Sequence, residues 1–170
     1  MNSALKEKAK KIKLVATDID GVWTDSKMYY SKDGVFMKSF STYDGMGAYC
    51  LMKNNFIVAM ITSEYENLDI LKARAAKLSI NEVYTNESKK INRIKYLAEK
   101  YNLKSENIAY IGDDINDYEV LQYVGLSAAP PQSPILKHLK VDFITERKSG
   151  DGSFRDLAEL ILDSQKIKII

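Results

Sequence analysis

The chain is poor in several things that would have fixed its class. It has one cysteine in 170 residues, Cys50, which excludes an intrachain disulfide framework. That thiol lies in the apolar stretch Ala48-Tyr49-Cys50-Leu51-Met52 and reads as buried rather than nucleophilic. The one histidine, His138 in Leu136-Lys137-His138-Leu139-Lys140, has no catalytic context and reads as a surface residue. No apolar run approaches the ~18 residues that a membrane helix needs. No apolar stretch of signal-peptide type follows Lys6, Lys8, Lys10, Lys11 and Lys13, so that segment reads as a solvated lead-in. A formal net charge of +2 is too small to argue for nucleic acid or a membrane surface. Internal repeats, low-complexity tracts and linker-like shifts are all missing. The length suggests one domain over residues 1–170, and nothing contradicts a reducing cytoplasm.

Hydrophobic residues make up 45% and charged residues 28%, ordinary globular values for a chain long enough to bury a core. Short apolar runs alternate with longer segments of helical period. Residues 12–17, 56–61, 82–84, 108–111, 125–128 and 141–144 read as strands. Residues 45–54, 65–78, 89–101, 117–124 and 154–162 read as helices. Met28-Tyr29-Tyr30 and Val35-Phe36-Met37-Lys38 flank Ser31-Lys32-Asp33-Gly34, turn chemistry for a protruding β-hairpin within residues 26–40. Strands separated by helices of this length give an α/β fold, a parallel sheet covered on both faces in three Rossmann-like layers. In such sheets a ligand lies at the carboxyl ends of the strands.

Those ends carry the polar residues. The first strand runs into Asp18-Ile19-Asp20-Gly21-Val22-Trp23-Thr24-Asp25 and the fourth main one into Gly112-Asp113-Asp114-Ile115-Asn116-Asp117. If the two ends adjoin, four or five carboxylates crowd one crevice and repel one another unless a cation intervenes; all-oxygen ligation suits Mg²⁺. Thr62-Ser63 ends the second strand and Lys89-Lys90 opens the helix after the third. A hydroxyl and an ammonium there suit phosphate oxygens and the charge that develops in phosphoryl transfer.

Asp-x-Asp-Gly-x-x-Thr, a strand-end Thr, a Lys, and Gly-Asp-Asp-x-x-Asp, in that order, resemble the four motifs of the haloacid dehalogenase superfamily. The resemblance spans nearly the whole chain and implies a Mg²⁺-dependent phosphatase. It implies Asp18 as the nucleophile that forms an aspartyl-phosphate, and Asp20 as the acid that protonates the leaving alcohol and later activates water. It implies Mg²⁺ on Asp18, the main-chain carbonyl of Asp20, and Asp113, with Asp114 and Asp117 in support. Thr62 and Lys90 would bind the phosphoryl oxygens, with Lys89 as the alternative within the pair.

Plainer readings stand beside these. Asp-x-Asp-Gly also opens calcium loops, but the further EF-hand ligands are missing. Asp113-Asp114 alone reads as a helix cap with first-turn acids. Trp23 packs the loop or touches substrate. Receiver-type phospho-acceptor domains also combine Asp, Mg²⁺, Thr and Lys, but there the acceptor lies on a later strand than the acidic pair. A non-catalytic regulatory partner of a sugar-acid cytidylyltransferase is the other alternative, against which the complete motif set speaks.

The stretches between Asp20 and Thr62 and between Thr62 and Lys90 leave no room for a cap domain. The chain therefore resembles the capless branch typified by 3-deoxy-D-manno-octulosonate 8-phosphate phosphatases and their nonulosonate 9-phosphate relatives. Lys38-Ser39-Phe40 with Tyr43-Asp44-Gly45, the segment from Arg74 to Leu78, and residues 146–152 followed by Arg155 support this. The branch implies a homotetramer in which hairpins meet and a neighbour's tail, here Arg147 to Arg155, closes each site. It implies substrate contacts from Lys38, Asp44, Glu64, Lys77, Arg147 and Arg155. After Thr62 the octulosonate enzymes usually read Gly-Arg, whereas this chain reads Ser63-Glu64, which favours a nonulosonate 9-phosphate. A Glu at that position could also simply face the dipole of the next helix.

Overall fold

The computed structural model describes residues 3–66 and 68–168. A six-stranded parallel sheet runs in the order β5-β4-β1-β6-β7-β8. Its strands are β1 (Leu14–Thr17), β4 (Ile57–Ile61), β5 (Glu82–Tyr84), β6 (Ile108–Ile111), β7 (Leu126–Ala129) and β8 (Phe143–Ile144). The helices are α1 (Ser3–Lys10), α2 (Thr42–Lys53), α3 (Asp69–Leu78), α4 (Lys90–Lys100), α5 (Tyr118–Tyr123) and α6 (Ser153–Ser164).

The central strand explains the layering. All four residues of β1 are buried, because both faces of the sheet are covered. Val15 joins one apolar cluster with Val58, Met60, Leu51 and the α6 residues Phe154, Leu157 and Ile161. Leu14 and Ala16 point the other way, into a cluster with Ile61, Ile94, Leu97 and Tyr110. The period-2 alternation of one strand thus serves two cores. Helix α6 buries Phe154, Leu157, Ala158, Ile161 and Leu162, the i, i+3, i+4, i+7, i+8 stripe of an amphipathic helix.

The antiparallel pair β2 (Tyr29–Ser31) and β3 (Gly34–Met37) stands off this sheet. Gly34 at φ 101° and the Asp33 N–H donated to Ser31 Oγ (3.1 Å) make its turn. Tyr30 and Phe36 are exposed, 61% and 59%.

Two segments differ from their sequence reading. The basic lead-in is a helix, α1, anchored by buried Ala9 and by Gln165 Nε2, which donates to the carbonyls of Ala9 and Ile12. The helix read from residue 65 begins only at Asp69, because the Glu64 carboxylate accepts the N–H groups of Tyr65 (2.9 Å) and Glu66 (3.0 Å) and holds that stretch as a loop. Trp23 is fully buried, stacks at 4.8 Å on Phe154 and donates Nε1–H to Thr17 Oγ1; it packs the loop.

Candidate active site

The register of the sheet brings the two acidic strand ends together. Thr17 pairs with Ile111, and the Asp18 N–H extends the ladder to the Ile111 carbonyl at 3.0 Å. Asp18 and Gly112 therefore leave adjacent strands side by side. The loop then turns sharply at Gly21, φ 99°, where a Cβ would lie 1.9 Å from Asp113 Oδ2, so only glycine admits the second carboxylate. Thr62 follows β4 on the other side of β1, its N–H donated to the Tyr84 carbonyl.

Lys90 settles between the carboxylates. It is the first residue of α4, its side chain has no exposed surface, and its Nζ lies 2.7 Å from Asp18 Oδ1 and 2.8 Å from Asp117 Oδ1. Lys89, the other member of the pair, is exposed. Burial works against the Lys90 ammonium, but the charges of Asp18 and Asp117 outweigh it and raise the pKa. Asp117 has both oxygens fully used. Oδ1 accepts from Lys90 and from the Tyr110 hydroxyl (2.6 Å), and Oδ2 from the main-chain N–H groups of Asp113 (3.0 Å) and Asp114 (3.4 Å). It is a buried brace for the strand end. Asp114 accepts the Ile115 N–H at 2.7 Å and caps a short 3₁₀ turn, the plainer of its two sequence readings.

The charge balance of the site is negative. Oxygens of Asp18, Asp113 and Asp117 lie within 4.8 Å of one another, with Lys90 the one cation in contact with them among the described residues. Burial first, then the charge of Asp117, pushes the Asp18 carboxyl up; burial first, then Asp18, does the same to Asp113. An all-oxygen, charge-deficient cluster of this kind fits a hard divalent cation such as Mg²⁺. With Asp117 saturated, Asp18 and Asp113 are the carboxylates free to ligate.

The crevice above these residues, about 290 Å³, is lined by Asp18, Asp20, Met28, Thr62, Glu64 and Asp113, among others. Asp20 Oδ2 pairs with Lys38 at 2.7 Å and Lys38 lies 3.8 Å from Glu64 Oε2. Ser63 and Asn116 also line it and meet at 3.3 Å across the mouth. A larger cavity of about 410 Å³ lies between the starts of β1 and β4 and the ends of α2 and α4, but no carboxylate among the described residues lines it.

Four expected substrate residues lie outside the crevice lining of their own chain. Asp44 is fully buried on α2, where Oδ1 accepts the Arg155 N–H (3.1 Å) at the start of α6; it joins two helices and offers no surface to a solute. Lys77 is exposed in the last turn of α3, outside the crevice lining. Arg147 pairs with Asp156 at 2.7 Å and Arg155 with Glu159 at 2.7 Å, so both cations are engaged within their own chain. The Arg147–Arg155 stretch is not a detachable tail. Gly150 N–H and Ser153 Oγ both donate to the Val22 carbonyl, and the segment leads directly into the buried helix α6. Tyr110, whose hydroxyl braces Asp117, is the functional residue that the sequence reading does not reach. The strand pattern around Tyr110 is indistinguishable from core, and nothing in it signals a hydroxyl aimed at Asp117.

The family model for haloacid dehalogenase-like hydrolases matches residues 22–153, a range that does not depend on Asp18 or Asp20. This chain belongs to that family, as an enzyme of its phosphatase type. Its relatives include the 3-deoxy-D-manno-octulosonate 8-phosphate phosphatase of Salmonella typhi, 35% identical over 93% of this chain and 83% of that protein. The crystal structure of the Yersinia pestis phosphatase of that name superposes with a TM-score of 0.92 at 34% identity, covering 98% of this chain and 89% of the other. That of the Moraxella catarrhalis phosphatase, in complex with a magnesium ion, a phosphate ion and the KDO molecule, superposes with a TM-score of 0.91 at 30% identity, covering 98% and 94%.

Proposed function

We propose that this protein hydrolyses the phosphate monoester of a 3-deoxy-2-keto sugar acid through an aspartyl-phosphate on Asp18. The observation that carries the reading is the convergence of Asp18, Asp20, Thr62, Lys90 and Asp113 at neighbouring strand ends. An Asp18 oxygen attacks phosphorus while Asp20 protonates the departing alcohol. Asp20 then takes a proton from the water that attacks the acyl phosphate. Lys90 and the Thr62 hydroxyl hold the phosphoryl oxygens and offset their charge. Asp18, the Asp20 carbonyl and Asp113 would hold Mg²⁺, which when bound would supply further charge neutralisation at the transferring group.

The relatives named above support octulosonate 8-phosphate as substrate. Glu64 supports a second reading, a nonulosonate 9-phosphate, because it lines the crevice next to Lys38. We read the assembly as a homotetramer joined through the hairpin, where Met28, Tyr29, Tyr30, Phe36 and Met37 are all at least 37% exposed. The deciding measurement is steady-state kinetics with Mg²⁺ on both sugar-acid phosphates. Asp18→Asn abolishes turnover with the fold intact, and Asp20→Asn loses about 10²–10⁴-fold. If Asp18→Asn retains a tenth of wild-type activity, the covalent mechanism is wrong. Glu64→Arg moves preference toward the octulosonate ester; an unchanged ratio removes the case for nine carbons.

A further inference from the structure

Lys38 reaches two of the carboxylates that line the crevice from outside the sheet, without lining it itself. It directly follows β3, the second strand of the hairpin, yet its side chain is only 6% exposed. Its ammonium lies 2.7 Å from Asp20 Oδ2 and 3.8 Å from Glu64 Oε2. Both carboxylates are also held from their other sides. Asp20 Oδ1 accepts the Thr24 hydroxyl at 3.3 Å, and Thr24 Oγ1 in turn accepts the Gly21 N–H at 3.4 Å. Glu64 Oε1 accepts two main-chain N–H groups of its own loop. The ammonium thus bridges two anchored anions, one on the loop after β1 and one on the loop after β4.

A lysine stripped of water persists only where anions replace its hydration. Here the two anions differ in their place. Asp20 lies two residues after the nucleophile; Glu64 lines the crevice from the loop after β4. A carboxylate on a turn has free χ1 and χ2 rotation, whereas a general acid must stay within hydrogen-bond reach of the leaving oxygen. Misplacement by about 1 Å can cost ~10²-fold in rate. The hydrogen bond to Oδ2 removes that freedom, and the Thr24 contact to Oδ1 is the looser of the two at 3.3 Å.

We infer that Lys38 is a positioning residue for Asp20, with Glu64 fixing the ammonium, and that it serves proton transfer rather than substrate binding. The inference rests on the phosphatase reading above. The first half starts from the enzyme form in which Asp20 carries a proton: as an Asp18 oxygen bonds to phosphorus and the ester P–O bond breaks, the bonding pair goes to the leaving oxygen, which takes that proton and leaves Asp20 as the anion. In the second half a water oxygen bonds to phosphorus, its proton passes to Asp20, and the pair of the Asp18–phosphorus bond returns to Asp18. Ester and water become alcohol and phosphate. Lys38 gives up no proton in either half; it keeps Oδ2 in place through both.

The test is leaving-group dependence. A simple alkoxide needs the proton of Asp20, whereas p-nitrophenolate departs with far less help. Lys38→Met, Lys38→Gln and Lys38→Arg are assayed with Mg²⁺ on generic esters running from p-nitrophenyl phosphate to a simple alkyl phosphate. In Lys38→Met the loss in kcat grows with the basicity of the leaving alcohol, being at least about tenfold larger for the alkyl than for the p-nitrophenyl ester, with KM little changed. Lys38→Arg recovers most of the alkyl-ester loss. Lys38→Gln, polar and neutral, shows the same trend and serves if the methionine variant does not fold. Equal losses across the series would overturn the inference, and so would a loss confined to KM, which would return Lys38 to substrate binding. These outcomes do not depend on which sugar acid is the substrate. A wild-type protein inert toward every ester would refute the phosphatase reading itself.

Discussion

Single residues in this protein owe their protonation to where the fold puts them. Asp44 is the case outside the crevice. It is fully buried, its Oδ2 has no hydrogen-bond partner among the described residues, and desolvation pushes its pKa up to about 7 against the opposing N–H groups at the start of α6. An unfolded Asp titrates near 3.9, so between about pH 4 and 7 the folded state binds the extra proton. Stability therefore falls as pH rises through that window and is flat above it, with a total effect on the order of a few kcal/mol. Asp44→Asn keeps an acceptor for the Arg155 N–H and lacks the titration. Denaturant melts of both proteins from pH 5 to 8 in Mg²⁺ are expected to diverge, the variant gaining on wild type as pH rises. Parallel curves would show that Asp44 is ionised throughout.

At the scale of elements, α6 and the hairpin divide stability from exposure. Helix α6 closes one apolar layer with Phe154 against Trp23, so the loop carrying Asp20 and Gly21 rests on a residue of the last helix. Phe154→Ala is expected to cost roughly 3–5 kcal/mol, the usual range for a buried phenylalanine. It is also expected to lower kcat, since the Trp23 loop loses its backing. Thermal melts and kinetics on the same samples check both, and full activity in a destabilised variant would separate the loop from the helix. For the same reason, cutting the chain after Arg147 removes core, not a tail. The hairpin does the opposite. Its exposed Tyr30 and Phe36 contribute nothing to this chain's own core, which is why its apolar pattern reads as a contact surface.

For the whole molecule, a cluster of buried acids braced by one lysine leaves charge for a cation to offset. Mg²⁺ is expected to raise the melting temperature by mass action, by about 2.7 kcal/mol of added stability at a hundredfold excess over Kd. Activity is expected to vanish in EDTA and return with Mg²⁺, and Ca²⁺ to inhibit through its looser coordination. Full turnover after exhaustive chelation would refute the metal site. Sedimentation tests the hairpin-linked tetramer, and a monomer at assay concentration would end that reading.

The strand runs, the Asp18/Asp20 and Asp113/Asp117 spacings, and the space too short for a cap were all legible in the chain. They depend on local periodicity and on residue types at strand ends, which sequence carries directly. Helix limits were less legible. The Glu64 carboxylate competing for its own backbone delayed α3, and the packing of Ala9 made a helix of a lysine-rich lead-in. Contacts between distant segments were not legible at all. Which of Lys89 and Lys90 reaches Asp18 depends on the first turn of α4, and which acids stay free depends on Tyr110 and two N–H groups saturating Asp117. Asp44, Arg147 and Arg155 were drawn into structural roles by partners far away in the chain or a turn along α6. Sequence determined the fold class and the chemical groups, because each follows from neighbours along the chain. The tertiary structure decided which groups are buried, paired or left free, because burial and pairing depend on what the rest of the molecule brings alongside.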